Sequence, residues 1–369
     1  MAHGERPNVC YVLPHYDPAA GSHFIYRYEF LELAARELHL FVVVEKCSAR
    51  PPPHMFPAYC QRFSAMPLRL AESILLFFRE RFRGRRHFYV HYSFYGAIAA
   101  WLVTCLAGGR VYYWNCGMPW LYRRSWYAEA VFRFILRHTI LVTGTPGLAC
   151  VYTEHYRLNP SRIRVLPNWI DAGRSRPAES AVVLRVKLGI PSSSRVVLFV
   201  HRLSRRKGAD RIPAIAAGVT KRFPNAMFLI VGDGPERERV ELKIQNSELA
   251  GVVRFVGEVS HRDISDYFAA ADIFFMPSEE EGFPHVLLEA MAAGLPYVAS
   301  DVGGVREITP PALQSYLVPS GDTQRFVERI GALLGADPRE RAAISAAERE
   351  WVKRYDISAA LQKFKNLFR

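Results

Sequence analysis

VVLFVHRLSRRKGADRIPAIAAGVTKRFPNAMFLIV, residues 196–231, decides the fold. It opens on one continuous apolar run, VVLFV (196–200), and closes on another, AMFLIV (226–231). Both are β-branched or aromatic and neither alternates with polar residues, as strands buried on both faces require. Asp210–Phe223 between them reads as a helix. Strand, helix, strand in so short a span makes a parallel pair joined by a crossover.

The same alternation runs outward in both directions. NVCYVL (8–13), LFVVV (40–44), FYVHY (88–92), RVYYW (110–114), TILVT (139–143) and RIRVL (162–166) read as strands of a first half. VVRFV (252–256), DIFFM (272–276) and PYVAS (296–300) continue the second, with helices at Arg262–Ala270 and His285–Ala293. A polar linker at 167–191 separates the two series. The fold class is therefore α/β, with two doubly wound Rossmann-like domains, 1–168 and 169–350, facing a cleft. Ligands of such sheets sit beyond the carboxyl ends of the strands, so the cleft is the expected site.

Composition narrows the class. The chain has 369 residues, half of them hydrophobic, and a net charge of +13. Residues 1–168 hold 20 Lys and Arg against 10 Asp and Glu, while residues 169–369 hold 28 against 25. The excess belongs to the first half and points to an acidic partner there. The six cysteines show no C-x-x-C spacing and read as unpaired thiols, those at Cys10 and Cys105 buried. The N-terminus lacks the pattern of a signal peptide, and the uncharged stretch 87–109 divides into a strand and a short helix rather than one spanning helix. The expectation is a cytoplasmic protein with peripheral attachment to the inner face of the membrane.

Two motifs carry the chemistry. In SEEEGFPHVLLEAMAAG (278–294), Glu281 and Glu289 flank a Gly282-Phe283-Pro284 turn that ends where a helix starts. Backbone N–H groups at a helix N-terminus bind anionic oxygens, and carboxylates beside them accept from sugar hydroxyls. In FVHRLSRRKG (199–208) a buried strand runs into a turn bearing Arg202, Arg205, Arg206 and Lys207. Cations at the carboxyl end of a parallel strand neutralise phosphate. VGDGPE (231–236) has arginine where a dinucleotide fingerprint needs its third glycine, so Asp233 and Gly234 read as shaping a tight turn.

In their order along residues 163–310, HRLSRRKG, VGDGPE, VRFVGEVS, the Glu281-x7-Glu289 element and PYVASDVGGVREI resemble the family 4 retaining glycosyltransferases of GT-B fold. The resemblance implies a sugar moved from a UDP- or GDP-linked donor to a hydroxyl of a lipid-linked or polysaccharide acceptor in cell-envelope glycan synthesis. It implies that Lys207 and Arg202 hold the diphosphate, Glu281 the donor sugar or the reacting centre, and Glu289 the ribose. Gly282, Phe283 and Pro284 would contact sugar and phosphate, and Arg254 and Phe255 would line the base pocket. Gly21 and Ser22, after the first strand, stand where such enzymes bring backbone N–H groups to the donor. Residues 351–369 would form a helix that packs back on the first domain.

The first half departs from the pattern. Asn115 stands where many relatives carry histidine, and Trp169 replaces glycine in PNWID (167–171). Asn115, His15, His23 and His91 are candidate acceptor or sugar contacts, each histidine equally suited to a core or rim position. Trp114, Trp120 and Tyr113 suit a sugar-stacking wall or the core alike. No Asp-x-Asp pair occurs, so no metal and no other cofactor is expected.

Pro67–Arg86 is the main basic element. On a helix, Leu68, Leu70, Ala71, Ile74, Leu75, Phe77, Phe78 and Phe82 share one side, with Arg69, Glu72, Arg79, Glu80 and Arg83 on the other; Leu76 and Arg81 break the pattern. Such a helix either meets an anionic membrane surface or docks on its own sheet by that apolar side. No nucleic-acid module is present, so no nucleic-acid partner is expected. A GT-B epimerase and a non-catalytic subunit that binds sugar nucleotide or lipid remain as alternative functions.

Overall fold

The computed structural model describes residues 6–18, 25–171, 173, 177 and 179–369. Two compact units emerge, Met1–Pro167 with Ile357–Arg369, and Asn168–Asp356. Gly21, Ser22 and His23 lie outside the described residues.

The first unit runs β1 (Asn8–Leu13), α1 (Ile25–Glu37), β2 (His39–Val44), β3 (Ala58–Cys60), α2 (Met66–Phe82), β4 (His87–His91), α3 (Phe94–Ala107), β5 (Arg110–Trp114), α4 (Trp126–His138), β6 (Ile140–Thr143), α5 (Pro146–Tyr156) and β7 (Ile163–Val165). Its strands form one parallel sheet of order β3-β2-β1-β4-β5-β6-β7. Five of the six residues of NVCYVL are buried, which accounts for its unbroken apolar run. Three-residue β3 has too little apolar length to stand out in the sequence.

The second unit continues with α6 (Ala181–Lys187), β8 (Arg195–Val200), α7 (Ile212–Arg222), β9 (Ala226–Val231), α8 (Arg237–Gln245), β10 (Val253–Gly257), α9 (Ile264–Ala269), β11 (Ile273–Met276), α10 (His285–Ala293), β12 (Tyr297–Ser300), α11 (Val305–Ile308), β13 (Leu317–Val318), α12 (Thr323–Gly335) and α13 (Pro338–Val352). Its parallel sheet has the order β10-β9-β8-β11-β12-β13. Val197, Phe199, Phe228, Ile230 and Phe275 of the strands share a core with Ile215 and Val219 of α7 and with Phe326 and Ile330 of α12. Each such side chain, fully buried, contributes about 1.5–3 kcal/mol. Strand order reverses direction between β8 and β11, which puts the ends of these two neighbours at the sheet's switch point.

The last helix, α14 (Ile357–Asn366), belongs to the first unit, whereas residues 351–356 close the second. Phe364 of α14 is fully buried against Phe30, Tyr89 and Tyr11, at centroid distances of 5.2, 4.9 and 6.3 Å. Tyr112 donates its hydroxyl to the Leu367 carbonyl at 2.6 Å.

Two sequence expectations are overturned in the first unit. Cys47 and Cys60 form a disulfide, their Cα atoms 6.1 Å apart, because the pairing of β3 with β2 brings Cys60 opposite Val44. Cys10 is a buried free thiol, but Cys105 is exposed. The docking face of α2 also differs from the apolar side read from the sequence. Its buried residues are Ser73, Leu76, Phe77 and Glu80, while Leu68, Leu75 and Phe82 are exposed. The buried four are spaced i, i+3, i+4, i+7, a true helical stripe hidden by its two polar members. Both are satisfied. Ser73 accepts from Gln61 Nε2 at 2.7 Å, and Glu80 takes Arg79 Nε at 3.0 Å, Arg83 Nη1 at 3.1 Å and Arg85 Nη1 at 2.6 Å.

Candidate functional site

The carboxyl ends of β8 and β11 lead directly into the two motif loops. After β8, His201 begins the turn that carries Lys207; after β11, Pro277 and Ser278 lead to Glu281. The backbones meet closely. Gly208 has φ of +72°, and a Cβ there would stand 2.1 Å from the Pro277 carbonyl oxygen, so only glycine fits. Gly232 and Gly234 answer the same demand on the other side, where Cβ atoms would fall 2.0 Å from the His201 oxygen and 2.4 Å from the Leu203 oxygen. VGDGPE is thus a packing surface for the HRL turn, as its tight-turn reading required.

These loops bring four side chains together. Oε1 of the buried Glu281 accepts from Lys207 Nζ at 2.7 Å, Ser278 Oγ at 2.8 Å and His201 Nε2 at 3.2 Å. Burial pushes the Glu281 carboxyl up, but the Lys207 charge and the hydrogen bonds from His201 and Lys207 outweigh it and hold the group at about 2. Glu281 is therefore a carboxylate throughout the neutral range. The backbone N–H of Arg202 donates to His201 Nδ1 at 2.9 Å, which leaves the ring proton on Nε2, facing Glu281. Burial and the Lys207 charge lower the His201 pKa, so this ring is neutral.

Of the residues read from the sequence, Lys207 and Glu281 come together, while Arg202 is exposed on the same turn. Ser278 and His201 were missed, although both stand inside the quoted motifs. His201 follows a buried strand directly, and Ser278 lies three residues before Glu281. Either position could have flagged them.

The neighbouring helix completes the site. Pro284 is the N-cap of α10, with no side-chain cap on the helix's first N–H groups. Glu289 lies one turn in, its side chain 12% exposed and Oε1 3.8 Å from His261 Nδ1. Phe283 is buried, with its carbonyl accepting from Asn168 Nδ2 at 2.8 Å and its ring 5.5 Å from Tyr355. Trp169 is buried and meets His285 edge-on at 6.4 Å. Gly282 sits between, half-buried. Arg254 is not brought to this cluster: Nη1 passes 3.1 Å from where a Gly189 Cβ would stand. Phe255 packs against the core of the second unit.

The first unit's candidates are mostly interior. Buried His91 lies 3.2 Å from the Tyr11 hydroxyl through Nδ1 and stacks on Trp114 at 5.7 Å. Buried Asn115 accepts from the Tyr152 hydroxyl at 2.9 Å and from Gly117 N–H at 3.0 Å. Tyr113 and Trp114 are core residues, and Trp120 meets Tyr152 edge-on at 5.2 Å. Half-buried His15, beyond β1, offers its carbonyl to the Tyr28 hydroxyl at 3.2 Å. Among the described residues no three His, Cys, Asp or Glu side chains gather as a metal site would need.

Comparison with known proteins places the second unit. Residues 183–351 match the family model of the glycosyl transferases group 1. D-inositol 3-phosphate glycosyltransferase of Segniliparus rotundus is 32% identical over 206 residues, 55% of this chain and 46% of that protein. A GDP-mannose-dependent monoacylated alpha-(1-6)-phosphatidylinositol monomannoside mannosyltransferase of Corynebacterium glutamicum is 35% identical over 51% of each chain. The chain thus spans about half the length of these curated relatives. Sucrose-phosphate synthase of Thermosynechococcus elongatus superposes with a TM-score of 0.79 at 25% identity, covering 99% of this chain and 98% of that one. Two parallel α/β sheets with such neighbours are the GT-B fold.

Proposed function

We propose that this chain, whose residues 183–351 carry the glycosyl transferases group 1 sequence, is a retaining glycosyltransferase that takes a UDP- or GDP-linked sugar without a metal. The acceptor is a hydroxyl of a lipid-linked or polysaccharide glycan, met at the cytoplasmic face of an anionic membrane. Its place is in cell-envelope glycan synthesis.

One observation carries the reading: a buried, ionised Glu281 clamped by Lys207 at the switch point of a parallel sheet. The three donors all act on Oε1, so Oε2 is left to accept from a sugar hydroxyl. An ammonium has three N–H donors; Lys207 gives one to Glu281 at 2.7 Å and a longer one to the Glu280 carbonyl at 3.5 Å. The third, with Arg202, meets the donor diphosphate and stabilises it as it leaves. The uncapped N-terminus of α10 adds backbone N–H groups for the same phosphates, and Glu289 accepts from the ribose. The acceptor hydroxyl attacks the face from which the diphosphate departs and gives that diphosphate its proton. The anomeric configuration is then kept without a protein nucleophile.

The test is nucleoside-diphosphate release from UDP- and GDP-sugars, with and without acceptor. Wild type should release it from one of them, faster when acceptor is present, and Glu281→Gln should abolish release. Full activity in that variant would overturn the site. Conversion of the sugar with no acceptor would favour an epimerase.

A further inference from the structure

The first unit has two helical faces of different chemistry. Crossovers between parallel strands are right-handed, so the direction of each step along the sheet fixes the face of its helix. From β3 to β4, β5, β6 and β7 every step goes the same way, which puts α2, α3, α4 and α5 on one face. The step from β1 to β2 goes the other way and puts α1 on the opposite face, where α14 packs on it. Consistently, α3 packs against both α2 and α4.

Most of the exposed large apolar side chains belong to the first of these faces and its loops. Twelve of the sixteen exposed large hydrophobic side chains among the described residues fall between Phe63 and Val151, and the other four are in the second unit. Leu75 and Phe82 on α2 are 72% and 80% exposed, and Trp126 at the start of α4 is 83% exposed. Leu121 and Tyr127 flank Trp126 in a run that also exposes Arg123. Residues 61–157 hold 13 Lys and Arg against 4 Asp and Glu, most of the first half's excess.

We infer that this face, from α2 across to the Leu121–Tyr127 segment, docks flat on an anionic lipid bilayer. The inference rests on the membrane part of the function proposed above and moves its centre. Arg79 of the basic helix and Arg83 and Arg85 just beyond it are committed to the buried Glu80, so the contact falls to the helix's outward leucines and Phe82, to Trp126 and to the exposed Arg62, Arg86 and Arg123. An interfacial surface of this kind combines Trp, Leu and Phe with arginines. A nucleic acid would match the charge but leave the aliphatic side chains unused. A second copy of the chain would match the apolar groups but set one basic face against another.

The test is co-sedimentation with phosphatidylcholine vesicles, with and without phosphatidylglycerol. One variant combines Leu75→Ser, Phe82→Ser, Leu121→Ser and Trp126→Ser; another combines Arg62→Gln, Arg86→Gln and Arg123→Gln. All seven side chains are exposed, so both variants should fold. Wild type should prefer the anionic vesicles. The arginine variant should lose roughly a hundredfold of that binding, and the apolar variant at least about tenfold. Unchanged binding in either variant overturns the inference, as does a wild-type dimer that the apolar variant dissociates. Donor affinity measured without vesicles should be equal in all three proteins; its absence from wild type would sink the transferase reading and leave the vesicle result standing.

Discussion

Replacing Lys207 with methionine keeps the length of the side chain and removes its charge. Glu281 then stays buried, with only His201 and Ser278 as donors. In the wild type its carboxyl sits at about 2, against about 4.3 in an unfolded chain, and each unit corresponds to about 1.4 kcal/mol. The lowered group thus contributes about 3 kcal/mol of stability. That contribution is complete above the unfolded value and disappears as pH falls through it towards 2. Removing one partner of a buried pair costs about 3–5 kcal/mol, because the other charge is stranded. Lys207→Met should therefore lower the unfolding free energy at pH 7 by about 3–5 kcal/mol and flatten its loss between pH 5 and pH 3. Adding Glu281→Gln should restore most of it, since a neutral amide can still accept from Ser278 and His201. The assay is urea unfolding followed by the fluorescence of Trp169 and Trp351, the tryptophans of the second unit. A single-variant loss below about 1 kcal/mol, within the range of an exposed pair, would refute the buried-clamp reasoning. So would a double variant no more stable than the single one.

Two further outcomes follow from the structure. Glu348 of α13 is buried, and neither of its carboxylate oxygens has a hydrogen-bond partner; burial raises its pKa well above the ordinary value. A raised carboxyl stabilises the fold below its unfolded pKa and loses that contribution as pH rises, so Glu348→Met should stabilise the protein at pH 7 by about 1–3 kcal/mol and gain little at pH 4, as measured by urea melts; a destabilised variant at pH 7 would contradict this. Titration of protein unfolded without reductant should find four free thiols, rising to six after reduction. Six from the start would remove the Cys47–Cys60 link.

Strands were legible where burial on both faces forced an unbroken apolar run. NVCYVL, RVYYW and AMFLIV coincide with β1, β5 and β9 residue for residue. β3 and β13 were not, because two or three residues are too few to establish a run against the background of an apolar chain. The Glu281 clamp was half legible. Glutamate and lysine stood out by type and spacing, but their partners are a serine and a histidine, residue types common in any turn. Only the adjacency of β8 and β11, a property of strand order, joins loops about 75 residues apart.

The basic helix shows how the reading fails when polarity is taken for exposure. Sorting side chains to faces by type puts Glu80 in the water and Leu75 in the core; the fold does the reverse. The exchange has a cause in the charges themselves. A buried carboxylate is tolerable only with donors around it, and three of the seven arginines between Arg62 and Arg86 supply them. The charge excess of the first half therefore has two separable parts, one that holds α2 on its sheet and one that faces outward beside exposed leucine, phenylalanine and tryptophan. Neutralising Arg85 should act on stability, and neutralising Arg86 on what the surface binds, although the two residues are neighbours in the sequence.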